Sequence, residues 1–421
     1  MPKMIEVRQA YPASPRLDFH RILGEEFDEK ALNSGISPGM RVAIGVGSRG
    51  IANLKEIVEA AIRVLVRAGA QPFMIPAMGS HGGATPEGQT KVLAEYGITA
   101  ESLGVPIDAD MEVKKIGTAS GGREVVFSAA ALRADGIVVI NRIKPHTDFH
   151  GALGSGIQKM LTIGFGKQIG AANAHRAAAH IGYEAVIRQF AKIALENVRV
   201  LCGIAILEDQ HHKTSEIKVL RPEVIASEER ELLERARLLM PRLPLDEIDL
   251  LIVDQIGKEI SGSGMDTNII GREITGYPTS LQHSNGTTPH IARIFVRDLT
   301  HATNGNGIGI GLADFTTERA VKALDLRSMY MNATTSLGLN TAKVPIHFAS
   351  DREAIDTALD SLASSEPDRI RIVRIANTLN MERMLVSECC TEILRKRPGV
   401  SIVGEARAMQ FDQTGNLLPM F

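Results

Sequence analysis

The chain has 421 residues, which suits two domains of roughly 150 to 250 residues each and a core large enough to bury a cofactor. Its 47 basic and 49 acidic residues leave a formal charge of −2. No long run of one sign stands out, so neither a nucleic acid nor a membrane surface is indicated as a partner. The first residues lack the apolar segment of a signal peptide, which predicts a cytoplasmic protein that acts on small molecules.

Three cysteines, Cys202, Cys389 and Cys390, form neither a CxxC motif nor a zinc-ligand spacing. The adjacent pair is too close in sequence for an ordinary disulfide. We interpret all three as buried thiols that take no part in chemistry.

Apolar runs alternate with helical periodicity in the first half of the chain, which is typical of a parallel sheet with crossover helices. The predicted strands span residues 41–46, 71–76, 136–141 and 198–207. The predicted helices span residues 53–68, 182–197 and 227–239. Another helix is predicted to begin at Thr85-Pro86-Glu87, which has the N-cap, proline and acidic residue of a helix start.

A proline-rich segment at 241–246 predicts a linker, with the domain boundary near residue 245. Beyond it the predicted strands are 248–253, 291–296, 344–348 and 370–375, and the predicted helices are 317–325 and 352–363. We therefore predict an α/β protein whose two domains have largely parallel sheets and an active-site cleft between them. The predicted domains are 1–245 and 246–408, and the tail 409–421 is expected to pack back on the first domain.

Polar side chains follow three predicted strands of the first domain, namely Arg49, His81 and the group Lys144, His146 and His150. Ligands of open α/β sheets bind beyond the carboxyl ends of the strands, so these side chains are predicted to share one crevice. Arginine can clamp a carboxylate with two hydrogen bonds, and histidine exchanges protons near neutral pH. The combination indicates an acidic substrate that undergoes proton transfer.

A glycine-rich segment at 144–175 contains three lysines and three histidines. Small residues that leave backbone N–H groups open are typical of a site for an anionic cofactor. Lys159 and His175 stand sixteen residues apart in it. We interpret Lys167 as a surface charge at a helix entry, and residues 266–268 as a loop on the opposite wall of the cleft.

These segments resemble the nickel-dependent lactate racemase family, whose members use a nickel-pincer nucleotide derived from a pyridinium mononucleotide. In that family a lysine in a Ser-Gly-Gly-Arg-Lys turn forms a thioamide to the cofactor, and a histidine sixteen residues later binds nickel. The turn Ser155-Gly156-Ile-Gln-Lys159 and the later His175 fit that spacing. The resemblance thus implies that Lys159, Ser155 and Gly156 bind the cofactor and that His175 binds the metal.

The same resemblance assigns roles to residues at the strand ends. The family's catalytic histidine in a Gly-Ser-His segment corresponds to His81, and its substrate-clamping arginine corresponds to Arg49. Its second catalytic histidine lies ten residues before the lysine. His150 lies nine residues before Lys159, and His146 lies thirteen before it. The resemblance implies that His150 is the second catalytic residue.

The remaining substrate contacts are assigned to Lys144, His146 and Arg272. Lactate racemases have an aspartate three residues before the arginine, where this chain has Val46. They also have a Tyr-Gln pair followed by a substrate lysine, where this chain has Ile270 and then Arg272. These departures imply a hydroxy acid other than lactate.

The resemblance implies a racemase or epimerase of a 2-hydroxy acid, with reversible hydride transfer to the nickel-pincer nucleotide and histidine acid–base catalysis. Its expected partners are the substrate, the enzymes that synthesise the cofactor, and further copies of the chain in a homo-oligomer. One alternative is a dehydrogenase with free NAD, although the turn after residue 46 lacks a full GxGxxG motif and no ribose-binding acid stands near Gln71. The other is a non-catalytic ligand-binding homologue, which the replacements at Val46 and Ile270 permit.

Overall fold

A computed structural model describes residues 1–47, 50–274, 289–362 and 366–421. The chain divides into an N-terminal domain, Ala13–Met240, and a C-terminal domain that combines Met1–Pro12 with Pro241–Phe421. Each domain contains a largely parallel sheet with helices, so the predicted α/β fold class is confirmed. In the described ranges, no helix is both long and apolar enough to cross a membrane.

The strands of the described ranges are β1 (Met4–Gln9), β2 (Arg41–Val46), β3 (Gln71–Pro76), β4 (Val113–Ala119), β5 (Arg123–Ser128), β6 (Gly136–Arg142), β7 (Val200–Glu208), β8 (Thr214–Leu220), β9 (Glu247–Ile256), β10 (His290–Leu299), β11 (Phe315–Thr317), β12 (Ile346–Phe348), β13 (Ile372–Ile375), β14 (Arg383–Ser387) and β15 (Val400–Arg407). The helices are α1 (Phe19–Glu29), α2 (Leu54–Arg67), α3 (Pro86–Glu95), α4 (Ala100–Leu103), α5 (Ala129–Leu132), α6 (Ile157–Lys159), α7 (Lys167–Ile181), α8 (Tyr183–Asn197), α9 (Ile225–Leu238), α10 (Thr267–Ile270), α11 (Glu318–Lys322), α12 (Leu326–Ser336), α13 (Asp351–Asp360) and α14 (Thr391–Leu394). A π-helical turn, Met160–Gly164, follows α6.

The N-terminal sheet has the strand order β3-β2-β6-β7-β8, in which the first four strands are parallel and β8 is antiparallel. Successive side chains of a strand point to opposite faces, so β2 contributes to two cores. Ile44 packs in the same cluster as α2, whereas Ala43 packs in the cluster that includes Ile157 of α6 and Leu232 of α9. Burial on both faces explains why these strands are continuous apolar runs in the sequence.

Strands β2, β3 and β6 run parallel and end at the same edge of the N-terminal sheet. Their registers align Val46 with Pro76 and with Ile140. The polar segments that follow these three strands therefore start side by side, and this edge positions the candidate site.

The C-terminal sheet has the order β12-β11-β10-β9-β13-β14-β1-β15, with five parallel strands followed by three that pair antiparallel. The expected assignment of the first residues to the N-terminal domain is wrong, because β1 lies between β14 and β15 in this sheet. Ile5 pairs with Val386, and Val7 pairs with Ile402.

The tail 409–421 packs on the C-terminal domain, so its expected return to the first domain is also wrong. Leu417 is buried in the core cluster of Leu250 and Phe295, and Arg297 donates a hydrogen bond of 2.8 Å to its carbonyl. The prediction that Cys389 is a buried thiol is wrong, because its side chain is exposed.

Candidate active site

The loop that follows β6 closes on itself before the chain reaches Lys159. The backbone N–H of Lys144 donates to the Ser155 carbonyl at 3.0 Å, and the Ser155 N–H donates to the Lys144 carbonyl at 2.8 Å. Gly154 has no room for a side chain, because an added Cβ would lie 2.3 Å from the Lys144 carbonyl oxygen. This pairing fixes both ends of the loop 145–154.

Two polar side chains hold the turn that presents Lys159. The buried carboxylate of Glu229, on α9, accepts the Gln158 N–H at 3.0 Å, and Asn141 Nδ2 donates to the Gly156 carbonyl at 3.0 Å. A Cβ on Gly156 would lie 2.0 Å from Glu229 Oε1, so the close approach of Glu229 requires glycine there. The glycine-rich backbone was expected to leave its N–H groups open to an anion, yet the Gln158 N–H is already bonded. Burial raises the pKa of the Glu229 carboxyl to about 7.

Lys159 and His146 form a short polar contact beyond this turn. Lys159 Nζ lies 2.6 Å from His146 Nε2 and 3.5 Å from Ser155 Oγ. Burial lowers the pKa of Lys159 and outweighs the opposing charge of Asp148. Burial also lowers the pKa of His146 to about 3, and the positive charges of Lys159 and Lys144 act in the same direction. Both groups are therefore shifted toward their neutral forms.

The hydrogen bonds of His146 determine the protonation of Lys159. His146 Nδ1 accepts the backbone N–H of Asp148 at 3.0 Å, so the neutral imidazole carries its proton on Nε2. That N–H faces Lys159 Nζ at 2.6 Å, and only the neutral amine has a lone pair to accept it. This contact and the lowered pKa both favour the free amine of Lys159, which is the nucleophilic form of lysine.

Three rings stack beside this pair. The centroids of His146 and Phe149 are 4.6 Å apart, and those of Phe149 and Tyr183 are 5.4 Å apart, with interplanar angles of 20° and 15°. Tyr183 is the first residue of α8. The apolar faces of the two aromatic rings remove water from the imidazole, which is the physical origin of its lowered pKa.

His175, on α7, meets the same tyrosine from another direction. Its Nδ1 lies 2.8 Å from Tyr183 Oη, and the two rings meet edge to face with centroids 5.6 Å apart. Burial lowers the pKa of His175, and the positive charge of Lys159 lowers it further. A neutral imidazole with one nitrogen held by a hydrogen bond is the form in which histidine binds a metal through the other nitrogen.

The loop after β3 carries His81 and packs against the turn that follows Lys159. The Gly79 N–H donates to the Gly164 carbonyl at 3.2 Å, and a Cβ on Gly164 would lie 2.6 Å from the Ala77 carbonyl oxygen. The side chain of His81 is exposed. The structure therefore brings the His81 loop and the Lys159 segment into contact.

Arg49 lies outside the described residues, so its predicted role as substrate clamp stays a prediction. The segments on either side of it are described. A Cβ on Gly47 would lie 2.7 Å from Asn141 Oδ1, and the Gly50 N–H donates to Tyr96 Oη at 2.8 Å. Gly47 thus lies beside the end of β6.

The three remaining residues of the β6 loop differ in their surroundings. His146 contacts Lys159, whereas His150, which the family spacing favours, is exposed. Lys144 is partly buried, and its charge contributes to the lowered pKa of His146. The histidine that the structure places against Lys159 is His146.

Arg272 is bonded at the amino ends of strands in the C-terminal domain. Its Nη2 lies 2.9 Å from Asp314 Oδ2 and donates to the carbonyls of Ile291 and Ala292, each at 3.3 Å. Ile291 and Ala292 begin β10, so this guanidinium lies at the end of the sheet opposite to the one where α/β folds bind ligands. Residues 266–268, which were predicted to form a loop, are instead the N-cap and the first residues of α10, after the carboxyl end of β9. The ion pair accounts for Arg272 without a substrate.

Sequence reasoning missed the polar and aromatic side chains that support the site, which are Gln89, Asn141, Asp148, Tyr183 and Glu229. Tyr183 and Glu229 lie in ordinary amphipathic helices and belong to no motif. Asn141 carried a weak signal, since it lies at the end of a strand already taken to face the site. Lys167, interpreted as a surface charge, is in fact buried.

The fit of a metal cofactor can be judged from the donor groups. Among the described residues, no three His, Cys, Asp or Glu side chains converge to bind a metal ion. His175, as a single ligand, suits a metal that arrives with donors of its own. The neutral amine of Lys159 suits covalent attachment to an electrophilic group. These residues therefore fit a covalently held metal cofactor.

The fold and the site together define a two-domain α/β protein with a nucleophilic lysine among histidines beyond its parallel strands. Residues 5–186 match the lactate racemase N-terminal domain. This part of the chain is similar to lactate racemases, and the similarity suggests an isomerase of the racemase or epimerase type.

The fold also resembles the structure of the lactate racemase apoprotein from Thermoanaerobacterium thermosaccharolyticum. The TM-score is 0.50 at 14% sequence identity, and the match covers 90% of this chain and 99% of that one. At this identity the likeness shows a shared fold alone. A search of curated protein sequences finds no match.

Proposed function

We propose that the protein is a racemase or epimerase of a 2-hydroxy acid other than lactate and that it uses a nickel-pincer nucleotide. The observation that carries the proposal is the contact of 2.6 Å between Lys159 Nζ and His146 Nε2, which favours the neutral amine of the lysine. His175, whose Nδ1 lies 2.8 Å from Tyr183 Oη, is proposed as the metal ligand. The resemblance of the Lys159 turn to the family's cofactor turn supports both roles.

Inversion of a carbon that bears a hydroxyl and a carboxylate is difficult by direct deprotonation, because the hydrogen beside a carboxylate anion is weakly acidic. When bound, the nickel-pincer nucleotide supplies a hydride acceptor that avoids the carbanion. The protein must then bind the carboxylate, orient the hydroxyl and move its proton.

Lys159 would hold the cofactor covalently, and Ser155 and Gly156 belong to the turn that presents it. His175 would bind the metal through Nε2, since its Nδ1 is engaged by Tyr183 at 2.8 Å. The tyrosine thereby fixes both the tautomer and the orientation of the ligand.

His81 and His146 are proposed as the groups that exchange the hydroxyl proton, one for each enantiomer. Acylation of Lys159 would keep that nitrogen uncharged, so no positive charge there would oppose protonation of His146. This choice replaces His150, which is exposed, by the histidine in contact with Lys159.

Arg49 and Lys144 are proposed to bind the substrate carboxylate, the arginine through two parallel hydrogen bonds. Arg272 is left out of the substrate site because it pairs with Asp314. Val46, where lactate racemases carry an aspartate, supports a substrate that differs from lactate.

Intact mass and nickel content test the cofactor assignment, on protein co-produced with the cofactor-synthesis enzymes. The unsubstituted chain is expected to gain a nucleotide-sized mass and near-stoichiometric nickel, and Lys159→Ala is expected to gain neither. Lys192→Ala is the matched control, because Lys192 is an exposed lysine of α8. An unmodified, nickel-free wild-type protein would contradict the assignment.

Turnover tests the reaction class. The loaded protein is incubated with single enantiomers of a panel of 2-hydroxy acids, and chiral chromatography follows the appearance of the inverted product. Inversion of at least one non-lactate acid is expected. Binding without inversion across the panel would favour the non-catalytic homologue instead.

A further inference from the structure

Lys167 begins α7 under two conditions that are unfavourable for lysine. Its φ is 54°, in the left-handed region that side chains disfavour, and its side chain is fully buried. Burial lowers its pKa to about 8, and the charges of Asp108 and Asp110 oppose that effect. The left-handed backbone and the burial both cost stability, and the hydrogen bonds of Nζ are the contacts that can offset this cost.

The contacts form a chain of hydrogen bonds from α7 to the His81 loop. Lys167 Nζ donates to the Pro76 carbonyl at 2.9 Å and to Gln89 Oε1 at 3.3 Å. Gln89 is also fully buried, and its Nε2 donates to the carbonyls of Gly79 at 2.9 Å and His81 at 3.3 Å. Pro76 ends β3, so the lysine contacts the loop at its origin and reaches its histidine through the glutamine.

The charge of the lysine determines which way the glutamine amide points. An ammonium group only donates, so the amide must turn its oxygen toward Lys167 and its NH₂ group toward the loop carbonyls. Without that donor, Gln89 Oε1 would be buried without this bond, and the opposite amide orientation would break both bonds to the loop. Lys167 therefore acts on the loop through Gln89.

We propose that Lys167 is a positioning residue for His81, because with Gln89 it ties the backbone of the His81 loop to α7, the helix that carries His175. The catalytic consequence rests on the proposed function, in which His81 moves a proton. The hydrogen-bonded connection between the His81 loop and α7 does not depend on the proposed function.

Hydrogen exchange of the full-length protein without cofactor tests the tie. Lys167→Met keeps the length of the side chain and removes the donor, and Gln89→Leu removes the amide while leaving Lys167. In both variants the backbone amides of 77–84 are expected to exchange about tenfold faster, while β6 stays unchanged. The control Lys192→Met should match the wild type throughout.

Kinetics of the loaded protein test the consequence for catalysis. Lys167→Met is expected to lower kcat about tenfold with KM within about twofold, since the affected group moves a proton and does not clamp the substrate. In a His81→Gln background the same substitution should have almost no further effect.

The two experiments separate the possible failures. Unchanged exchange in 77–84 in both variants, or faster exchange throughout the N-terminal domain, would overturn the tie. An equal loss of kcat in the His81→Gln background would overturn the positioning of His81. If the loaded wild-type protein shows no turnover, the proposed function fails, and the exchange result alone decides whether Lys167 positions the loop.

Discussion

The two domains bury charged side chains in opposite ways. In the C-terminal domain Asp351 is fully buried, and its carboxylate accepts hydrogen bonds from Arg297 at 2.7 Å and from Arg319 at 3.1 Å. Arg374, also buried, pairs with Asp254 through two bonds of 2.8 and 2.9 Å. Each buried charge in this group has a counter-ion.

In the N-terminal domain, three titratable groups of the candidate site, Lys159, His146 and Glu229, are shifted toward neutrality. Burial is the leading cause of the lowered pKa of Lys159, the lowered pKa of His146 and the raised pKa of Glu229. Paired ions of the first kind maintain a structure, whereas groups shifted by desolvation are typical of sites that perform chemistry. The comparison predicts that substitutions in the two regions will differ in kind.

The largest effect on stability is expected at Asp351. Asp351→Ala would remove the buried carboxylate that Arg297 and Arg319 share, leaving them only Asp254 and Asp298. It would also free the Leu417 N–H, which Asp351 accepts at 2.9 Å. The free energy of unfolding should fall by about 3 to 5 kcal/mol. Urea unfolding followed by circular dichroism measures it, and Asp356→Ala, at an exposed position of α13, is the control. A loss below about 1 kcal/mol would remove the contrast between the domains.

A pH-dependent effect is expected at Glu229. Its folded-state pKa of about 7 lies above the ordinary value of 4.5, so ionisation costs the folded state stability as pH rises through 7. Glu229→Gln should match the wild type near pH 4 and exceed its unfolding free energy by on the order of 3 kcal/mol above pH 8. The measurement is the difference in unfolding free energy across this range. A difference that does not vary with pH, as expected for the exposed Glu231→Gln, would refute the assignment.

Substitutions of the two histidines of the β6 loop should lower catalytic activity to different degrees. His146→Gln is expected to lower kcat of the loaded protein by at least about 10²-fold, because it removes an acid–base group in contact with the cofactor lysine. His150→Gln is expected to have the smaller effect. The reverse order, measured with the same substrate and with cofactor occupancy checked by intact mass, would restore the assignment that the family spacing favours.

The smallest change in stability is expected at Lys159. Lys159→Met replaces an amine already held neutral by an apolar chain of similar length, so the unfolding free energy of the cofactor-free protein should change by less than about 1.5 kcal/mol. The same urea experiment measures it beside Asp351→Ala. A destabilisation as large as that of Asp351→Ala would mean that Lys159 is a structural residue.

The sequence predicts the parallel part of the fold well. Strands β2 and β3 have the predicted bounds, because both are continuous apolar runs buried on two faces. The helix start at Thr85 is confirmed, since its side chain accepts the Gly88 N–H at 3.0 Å. These elements are decided by local pattern.

The antiparallel part was missed for a physical reason. Strand β15 has no buried residue, so it lacks the apolar pattern on which strand prediction rests. Strand β1 has only three apolar residues among its six, and its partners β14 and β15 lie at the other end of the chain. Pairing between strands so far apart in the sequence produces no pattern in a short stretch of residues.

The candidate site was predictable where it follows from strand ends and unpredictable where it follows from packing. His146 and Lys159 come together because a loop closes at Ser155, which the sequence does not reveal. The bonded Gln158 N–H was not foreseen for the same reason. The space that Gly156 leaves is filled by Glu229, from a helix some seventy positions later.

The position of β1 in the C-terminal sheet has a consequence for the order in which the chain folds during synthesis. Gln9, at the end of β1, bonds to the carbonyl of Met381, 372 positions later. The N-terminal domain needs only its own contiguous residues and can fold as soon as they leave the ribosome. The first strand must wait, unpaired, until the last strands emerge. Residues 13–240 are thus an insertion within the other domain, and β1 finds its partners only after β14 and β15 have been synthesised.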